Sequence, residues 1–192
     1  MSHDSPGQEN LFRNYYQLLA ATDLCIGERL YMPALVLIYT AIDSVSWLAS
    51  DDRNEPVRIR FEKWVNKWML QKYPLPCTAT ELYAARCGIL HTLTPDSDLS
   101  KKGIRKIAYA WGKADSDDLA KTIQLLDYQG LVAVHLEDIL GSFRQGFADF
   151  LNALVRDDEK MDRFISKANK HFANVDISLV SQFISSQTKN DV

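Results

Sequence analysis

The segment that constrains the fold most runs from Pro33 to about Ser50, because it is apolar on nearly every side of the helix that its spacing predicts. Its apolar side chains are Leu35, Val36, Leu37, Ile38, Ala41, Ile42, Val45 and Leu48. A helix that is hydrophobic all round has to be covered on every face. Its most apolar run, near Leu35 to Ile42, is far shorter than the roughly 20 residues of a membrane span. We therefore expect this helix at the centre of a helical bundle.

Apolar residues recur at helical spacing over most of the remaining chain. Helices are predicted at about 10–30, 33–50, 55–72, 78–94, 115–128, 131–154 and 157–172. Between them, Ile107, Tyr109 and Trp111 alternate like one face of a strand with no obvious second strand, so this segment is either an edge ribbon or pairs with its copy in a dimer. The predicted fold class is all-α, an up-and-down bundle of about six or seven helices, with or without a short β-strand or ribbon.

Length and composition indicate one domain. The chain has 192 residues, of which 46% are hydrophobic and 24% charged, which is ordinary for a globular protein and enough to bury a core. We expect a disordered N-terminus at 1–9, a single helical domain at 10–187 and a flexible tail at 188–192. Within the domain, 10–94 form a core and 115–173 form decorating helices.

Charge and cysteine usage narrow the class of protein. The net charge of −3 argues against a broad cationic surface for nucleic acid, though not against a local basic patch. Cys25, Cys77 and Cys87 lie far apart with no C-x-x-C pair, so neither a disulfide framework nor a zinc site is expected. The polar N-terminus does not resemble a signal peptide. We expect a cytoplasmic protein without a metal, a cofactor or a membrane partner.

The stretch from Thr78 to Leu99 is the predicted functional helix and the turn after it. Thr78 suits the N-cap and Glu81 the third helical position, the spacing of a capping box. Against the apolar stripe of this helix stand Arg86 and His91. A bare Arg-x-x-x-x-His pattern occurs by chance in about one chain in five of this composition, so the surrounding residues must decide whether it carries chemistry.

Arginine and histidine together suit metal-free cleavage of RNA, in which the 2′-hydroxyl attacks the adjacent phosphodiester. Histidine can transfer a proton near neutral pH, and arginine can stabilise charge on the phosphate oxygens. Residues five apart on a regular helix point about 140° away from each other. Arg86 and His91 therefore meet only if the helix ends or bends near Leu90, or if two copies form a shared cleft with Ala84 and Gly88 near the contact.

Asp43 is the exception on the apolar central helix. An unpaired carboxylate is costly to bury, so Asp43 needs a partner or a wet cleft, or it lies on a partly exposed stripe of the helix.

A second group of candidate residues follows Arg86 and His91 in the sequence. The basic and aromatic residues Lys101, Lys102, Arg105, Lys106, Tyr109 and Trp111 form either an RNA-binding segment or a flexible basic loop.

Two amphipathic helices and a charged helix lead to a helix that ends Arg86-Cys87-Gly88-Ile89-Leu90-His91. This order resembles the HEPN superfamily, a helical bundle whose signature is an arginine, four to six residues and a histidine at the end of a late core helix. The resemblance covers about 10–91. It implies a dimeric, metal-independent endoribonuclease from a toxin–antitoxin or phage-defence system, with RNA as substrate and an antitoxin or defence-complex partner.

The resemblance also implies roles for individual residues. Arg86 and His91 match the catalytic pair, and Asp43 is a weaker analogue of an acidic residue that some members place on an earlier helix. Asp43 and Cys87 are therefore the candidate supporting residues. Active members usually have a polar residue directly after the arginine, and this chain has Cys87 there. That departure leaves open a non-catalytic RNA- or nucleotide-binding relative, or a helical adaptor with no nucleic-acid role.

Overall fold

The structure, a computed structural model, describes residues 6–52, 54–99, 102–113, 117–169 and 177–188. Within these ranges the chain forms eight α-helices, one π-helical segment and a two-stranded sheet. In chain order the elements are α1 (Pro6–Gly27), α2 (Tyr31–Ala49), α3 (Val57–Trp64), the π-helical segment (Val65–Leu70), α4 (Ala79–Thr92), β1 (Lys106–Ala110), α5 (Asp117–Leu125), β2 (Leu131–His135), α6 (Leu136–Leu154), α7 (Asp158–Ala168) and α8 (Ile177–Thr188).

The helix α2 lies at the centre of the bundle, as its apolar pattern predicts. It contacts α1, α3, α4, α6 and α7, and its side chains Ile38, Ala41, Ile42 and Val45 are at most 1% exposed. By length and composition alone α2 could cross a membrane, yet half of its most apolar stretch is buried against these neighbouring elements. The mostly helical bundle with a short sheet confirms the predicted fold class.

Several helix boundaries differ from the prediction. The first helix begins at Pro6, four residues before the predicted start. The third predicted helix, 55–72, divides into α3 and the π-helical segment that continues it. A π-helical turn differs from an α-helix in its i→i+5 hydrogen bonds, which leave no mark on apolar spacing. Of the predicted disordered N-terminus at 1–9, residues 6–9 belong to α1, and of the predicted tail at 188–192, Thr188 is the last residue of α8. The remaining residues of both segments, 1–5 and 189–192, lie outside the described residues.

The two strands correct the prediction for the second half of the chain. β1 pairs in parallel with β2, so that Ile107 lies beside Val132 and Tyr109 beside Val134. The helix predicted at 131–154 was therefore wrong for 131–135, and β1 needs no copy of itself as a partner. Val132 and Leu136 are four residues apart, a spacing that fits a helix. In the folded chain α5 connects β1 to β2, and hydrogen bonding to the parallel strand β1 holds Val132 in a strand instead.

Candidate functional site

The N-terminal end of α4 is fixed by the predicted capping box. The Glu81 N–H donates to Thr78 Oγ1 at 3.2 Å, and the Thr78 N–H donates to Glu81 Oε2 at 2.8 Å. Arg105, just before β1, donates to both carboxylate oxygens of Glu81 at 2.6 and 3.2 Å. Burial alone would raise the pKa of Glu81, but the bonds from Arg105 and Thr78 outweigh it and hold that pKa below its usual value. These contacts anchor α4 to the start of the sheet.

At its C-terminal end, α4 stops at Thr92 because Leu93 adopts the left-handed conformation with φ of 54°. The chain then folds back over the last turn of the helix. A Cβ added at Gly88 would lie 2.3 Å from the Thr94 carbonyl oxygen and 2.9 Å from that of Asp96. Gly88 therefore makes room for the returning turn of its own chain, and the prediction that it lies near a dimer contact is not supported by this packing.

Arg86 contacts both of the other side chains that the sequence singled out, Asp43 and His91. Its Nη2 donates to Asp43 Oδ2 on α2 at 2.7 Å, and its Nη1 lies 3.2 Å from His91 Nε2. The helix continues regularly past Leu90 to Thr92, so the expectation that it must end or bend there was wrong. That expectation considered only the angle between the two positions on the helix. It left out the length of the arginine side chain, which lets the guanidinium reach the His91 ring.

The charges in this site are partly shielded from water. The side chain of Arg86 is 13% exposed and that of Asp43 is 20% exposed. Burial would lower the pKa of Arg86, but its hydrogen bond to Asp43 and the charge of that carboxylate raise the pKa above its usual value. Because a guanidinium only donates, Nε2 of His91 is the acceptor in a hydrogen bond between these two groups. Asp43 thus holds the cation while the exposed His91 faces solvent.

A surface cleft of about 320 Å³ opens beside His91. Its other lining residues are Cys87, Thr92, Thr94, Asp96, Ser97 and Asp98. Cys87, predicted as a supporting residue, is half-buried at the wall of this cleft. The returning turn after α4 therefore supplies most of the wall opposite the histidine.

Tyr83 belongs to the site and was missed at the sequence level. The guanidinium carbon of Arg86 lies 6.0 Å from the centre of the Tyr83 ring, a distance at which a cation and an aromatic face attract each other. Burial, and then the neighbouring Cys87, raise the pKa of the Tyr83 hydroxyl. The available signal was its position three residues before Arg86, which places both side chains on one helix face.

The basic segment after α4 is largely engaged in holding the fold. Arg105 pairs with Glu81 as described, and Lys106 pairs with Asp96. The Tyr109 hydroxyl is hydrogen-bonded to that of Tyr39 at 2.8 Å in the core.

Two other members of the predicted RNA-binding set remain at the surface. Lys102 is exposed, and Trp111 is 53% exposed while it stacks on Tyr31 with ring centres 4.6 Å apart. Lys101 lies outside the described residues. The structure therefore does not gather these side chains around His91 as one cationic surface.

No family model, curated protein or solved structure matches this chain. Within the described ranges, no group of three or more His, Cys, Asp and Glu side chains is placed to hold a metal ion. The candidate site therefore consists of Asp43, Arg86 and His91 and of the cleft that His91 lines.

Proposed function

We propose that this protein is a HEPN-type endoribonuclease that cuts RNA without a metal, leaving a 2′,3′-cyclic phosphate and a 5′-hydroxyl. One observation carries the proposal: Arg86 contacts both Asp43 and His91, and His91 lines an open cleft. The three residues come from separate features of the sequence, an arginine–histidine spacing and a carboxylate on an apolar helix. Their convergence in one chain favours a common role.

The proposed roles follow from the position of each side chain. As the 2′-oxygen attacks the phosphorus and the bond to the 5′-oxygen breaks, Nε2 of the exposed His91 imidazole turns from Arg86, takes the 2′-hydroxyl proton and returns it to the departing 5′-oxygen, a contribution of typically about 10²–10⁴-fold. The Arg86 guanidinium donates to the non-bridging phosphate oxygens as charge builds on them, which is typically worth about 10²–10³-fold. Asp43 is a positioning residue, since its carboxylate fixes Nη2 and leaves the opposite edge of the guanidinium directed at His91.

The resemblance supplies the wider context of this proposal: a homodimer, an RNA target, and an antitoxin or defence-complex partner. Arg86 and His91 meet within one chain, so a second copy is not needed to assemble them. In a dimer the second copy would instead extend the surface on which the RNA strand lies.

The proposal is tested with purified protein and end-labelled single-stranded RNA in EDTA. We expect His91→Ala and Arg86→Ala each to lower the cleavage rate at least about 100-fold. Asp43→Asn should lower it about tenfold, because the guanidinium stays but loses its charged anchor. Mass spectrometry of the products should show the cyclic phosphate.

A matched control is Arg144→Ala. Arg144 is an arginine on α6 that also donates to an aspartate, Asp23, at 2.6 Å, and it lies outside the cleft, so its loss should leave cleavage unchanged. Cleavage that survives both His91→Ala and Arg86→Ala would refute the assignment.

A second candidate function is a non-catalytic HEPN-like module that binds RNA or a nucleotide within a regulatory or defence complex. One observation favours it: Cys87, half-buried in the wall of the cleft, stands where active members carry a polar side chain. Binding that weakens with salt, without any His91-dependent cleavage, would select this function over the nuclease.

A further inference from the structure

A second cavity lies where the C-terminal end of α2 and the loop after it meet α3, the π-helical segment, α6 and α7. Its volume is about 240 Å³. None of its described lining residues is shared with the cleft beside His91. Any ligand of this cavity is therefore independent of the proposed nuclease site.

Aromatic side chains form one wall of this cavity. The ring of Phe150 meets those of Trp64 and Trp68 edge to face, with centres 6.3 and 5.6 Å apart. Close approach of α6 to the π-helical segment makes this wall, because a Cβ at Gly146 would lie only 2.5 Å from the Trp68 carbonyl oxygen. The wall offers flat apolar surface of the kind on which a planar ring packs.

Two buried hydrogen-bond donors border the same cavity. Trp64 is 3% exposed, and its indole N–H has no hydrogen-bond partner among the described residues. The Nε–H of Arg60 is buried and likewise lacks a partner within the described ranges. A buried donor without an acceptor costs about 1–3 kcal/mol, and most native donors are paired. Both side chains line the cavity, and their N–H groups are closed off from solvent, so a ligand oxygen becomes their acceptor when the lining side chains shift to admit it.

The charged side chains that line the cavity have a small cationic excess, Arg60, Lys63, Lys67 and Lys160 against Asp51, Asp52 and Glu55. Glu55 is bonded to Lys63 and Ser50, and Lys160 pairs with Asp157. Lys67 Nζ lies 4.8 Å from the centre of the Trp68 ring.

A second lining carboxylate is also engaged, since Asp51 pairs with Arg163 at 3.1 Å. A cationic ligand would meet the lysines and would offer no acceptor to the indole N–H. The lining therefore selects against a cation even though its aromatic wall resembles a cation-binding cage.

We propose that this cavity binds a small planar anion: an aromatic ring that carries a carboxylate or a phosphate. The ring packs on Trp68 and Phe150, and the anionic oxygens accept from the Trp64 N–H and from Arg60. The size fits, because a cavity of about 150 Å³ already accommodates benzene. An aromatic carboxylate and an aromatic phosphate share the feature that this cavity recognises, an anionic oxygen next to a flat ring.

The proposal is tested by calorimetric titration of the full chain with 2-naphthoate and with 2-naphthyl phosphate, whose relative affinities identify the preferred acid. The uncharged 2-naphthalenemethanol and the cation phenyltrimethylammonium are the comparison ligands. We expect both anions to bind at least tenfold more tightly than either comparison ligand. Trp64→Phe, which keeps a ring but removes the N–H, should weaken anion binding at least fivefold, and Lys67→Ala about threefold.

Matched controls are Trp111→Phe and Lys121→Ala, a tryptophan and a lysine outside the cavity, which should leave binding unchanged. Lys67 is exposed, so Lys67→Ala tests the site even if Trp64→Phe fails to fold. Absence of saturable anion binding at about 1 mM would overturn the proposal. Equal affinity for the uncharged ligand or the cation, or anion binding that is unchanged in both cavity variants, would also overturn it.

Discussion

Replacing Glu81 by glutamine tests how α4 is held in place. The Glu81 carboxylate is buried, with the residue only 6% exposed, and it accepts three hydrogen bonds: one from the Thr78 N–H and two from Arg105. Glutamine keeps the size of the side chain but removes its charge and replaces one acceptor by an N–H₂ group. That group faces donors, so at least one bond is lost and the others become weaker.

The expected cost follows from these contacts. Hydrogen bonds to charged groups contribute about 1.5–3 kcal/mol each to stability, and Arg105 is partly exposed, so we expect Glu81→Gln to lower the free energy of unfolding by about 2–3 kcal/mol at pH 7. For a chain of this size this lowers the Tm by about 5–10 °C.

The pH dependence of this difference has a definite sign. The pKa of Glu81 in the folded protein lies below its ordinary value of 4.5. The stabilisation from the ionised carboxylate is therefore complete above pH 4.5 and is lost as the pH falls through the folded-state pKa. The gap between the wild type and Glu81→Gln should be widest near pH 7 and should narrow below pH 4.5.

Urea unfolding followed by circular dichroism at pH 7, 5 and 4 measures this gap. The matched control is Glu159→Gln, since Glu159 also accepts from an arginine, at 2.6 Å, but its side chain is 82% exposed. An exposed pair contributes about 0–1 kcal/mol, so this control should change little. A Glu81→Gln protein within about 0.5 kcal/mol of the wild type at pH 7, or a gap that stays constant down to pH 4, would refute the reasoning.

Three further predictions concern the core and the turn. Gly88→Ala should cost about 1–3 kcal/mol in urea unfolding, because its Cβ would overlap the returning turn, whereas Gly27→Ala, with open space around it, should not destabilise. Tyr39→Phe should cost about 1–2 kcal/mol by the same assay, because it leaves the Tyr109 hydroxyl without its core partner. Burial raises the pKa of Cys77 to about 12, so mass spectrometry should find it unlabelled by iodoacetamide at pH 8 until urea is added.

Local sequence signals predicted much of the first half of the fold. The central position of α2 followed from its all-round apolar pattern, and the capping box at Thr78 and Glu81 followed from residue type and spacing. These features depend on neighbours within one helix. By contrast, β2 is a strand because it pairs with β1, whose residues lie 25 positions earlier in the sequence. The spacing of apolar residues within a short segment cannot indicate such a distant partner. The bond between Arg105 and Glu81 was missed for the same reason.

The candidate site shows the same division. The sequence identified Asp43, Arg86 and His91 as unusual residues for a bundle core, and the structure places their side chains in contact. It could not show that Arg86 is the link, because the reach of a long side chain is absent from a count of residues per turn. The cavity at Trp64 had no sequence signal, since tryptophans at helical spacing are typical of an ordinary core.

The ion pair between Asp43 and Arg86 does not behave like an arrangement selected for stability alone. A pair that only stabilises the bundle gains most when every buried polar atom is bonded. Here Asp43 Oδ1 and Arg86 Nε are both buried without a hydrogen-bond partner among the described residues. Incomplete pairing of this kind is costly, and proteins tend to retain it where function requires the charged groups. The pair also lies against the exposed His91, so in the proposed nuclease mechanism this cost falls at the guanidinium that would meet the substrate phosphate.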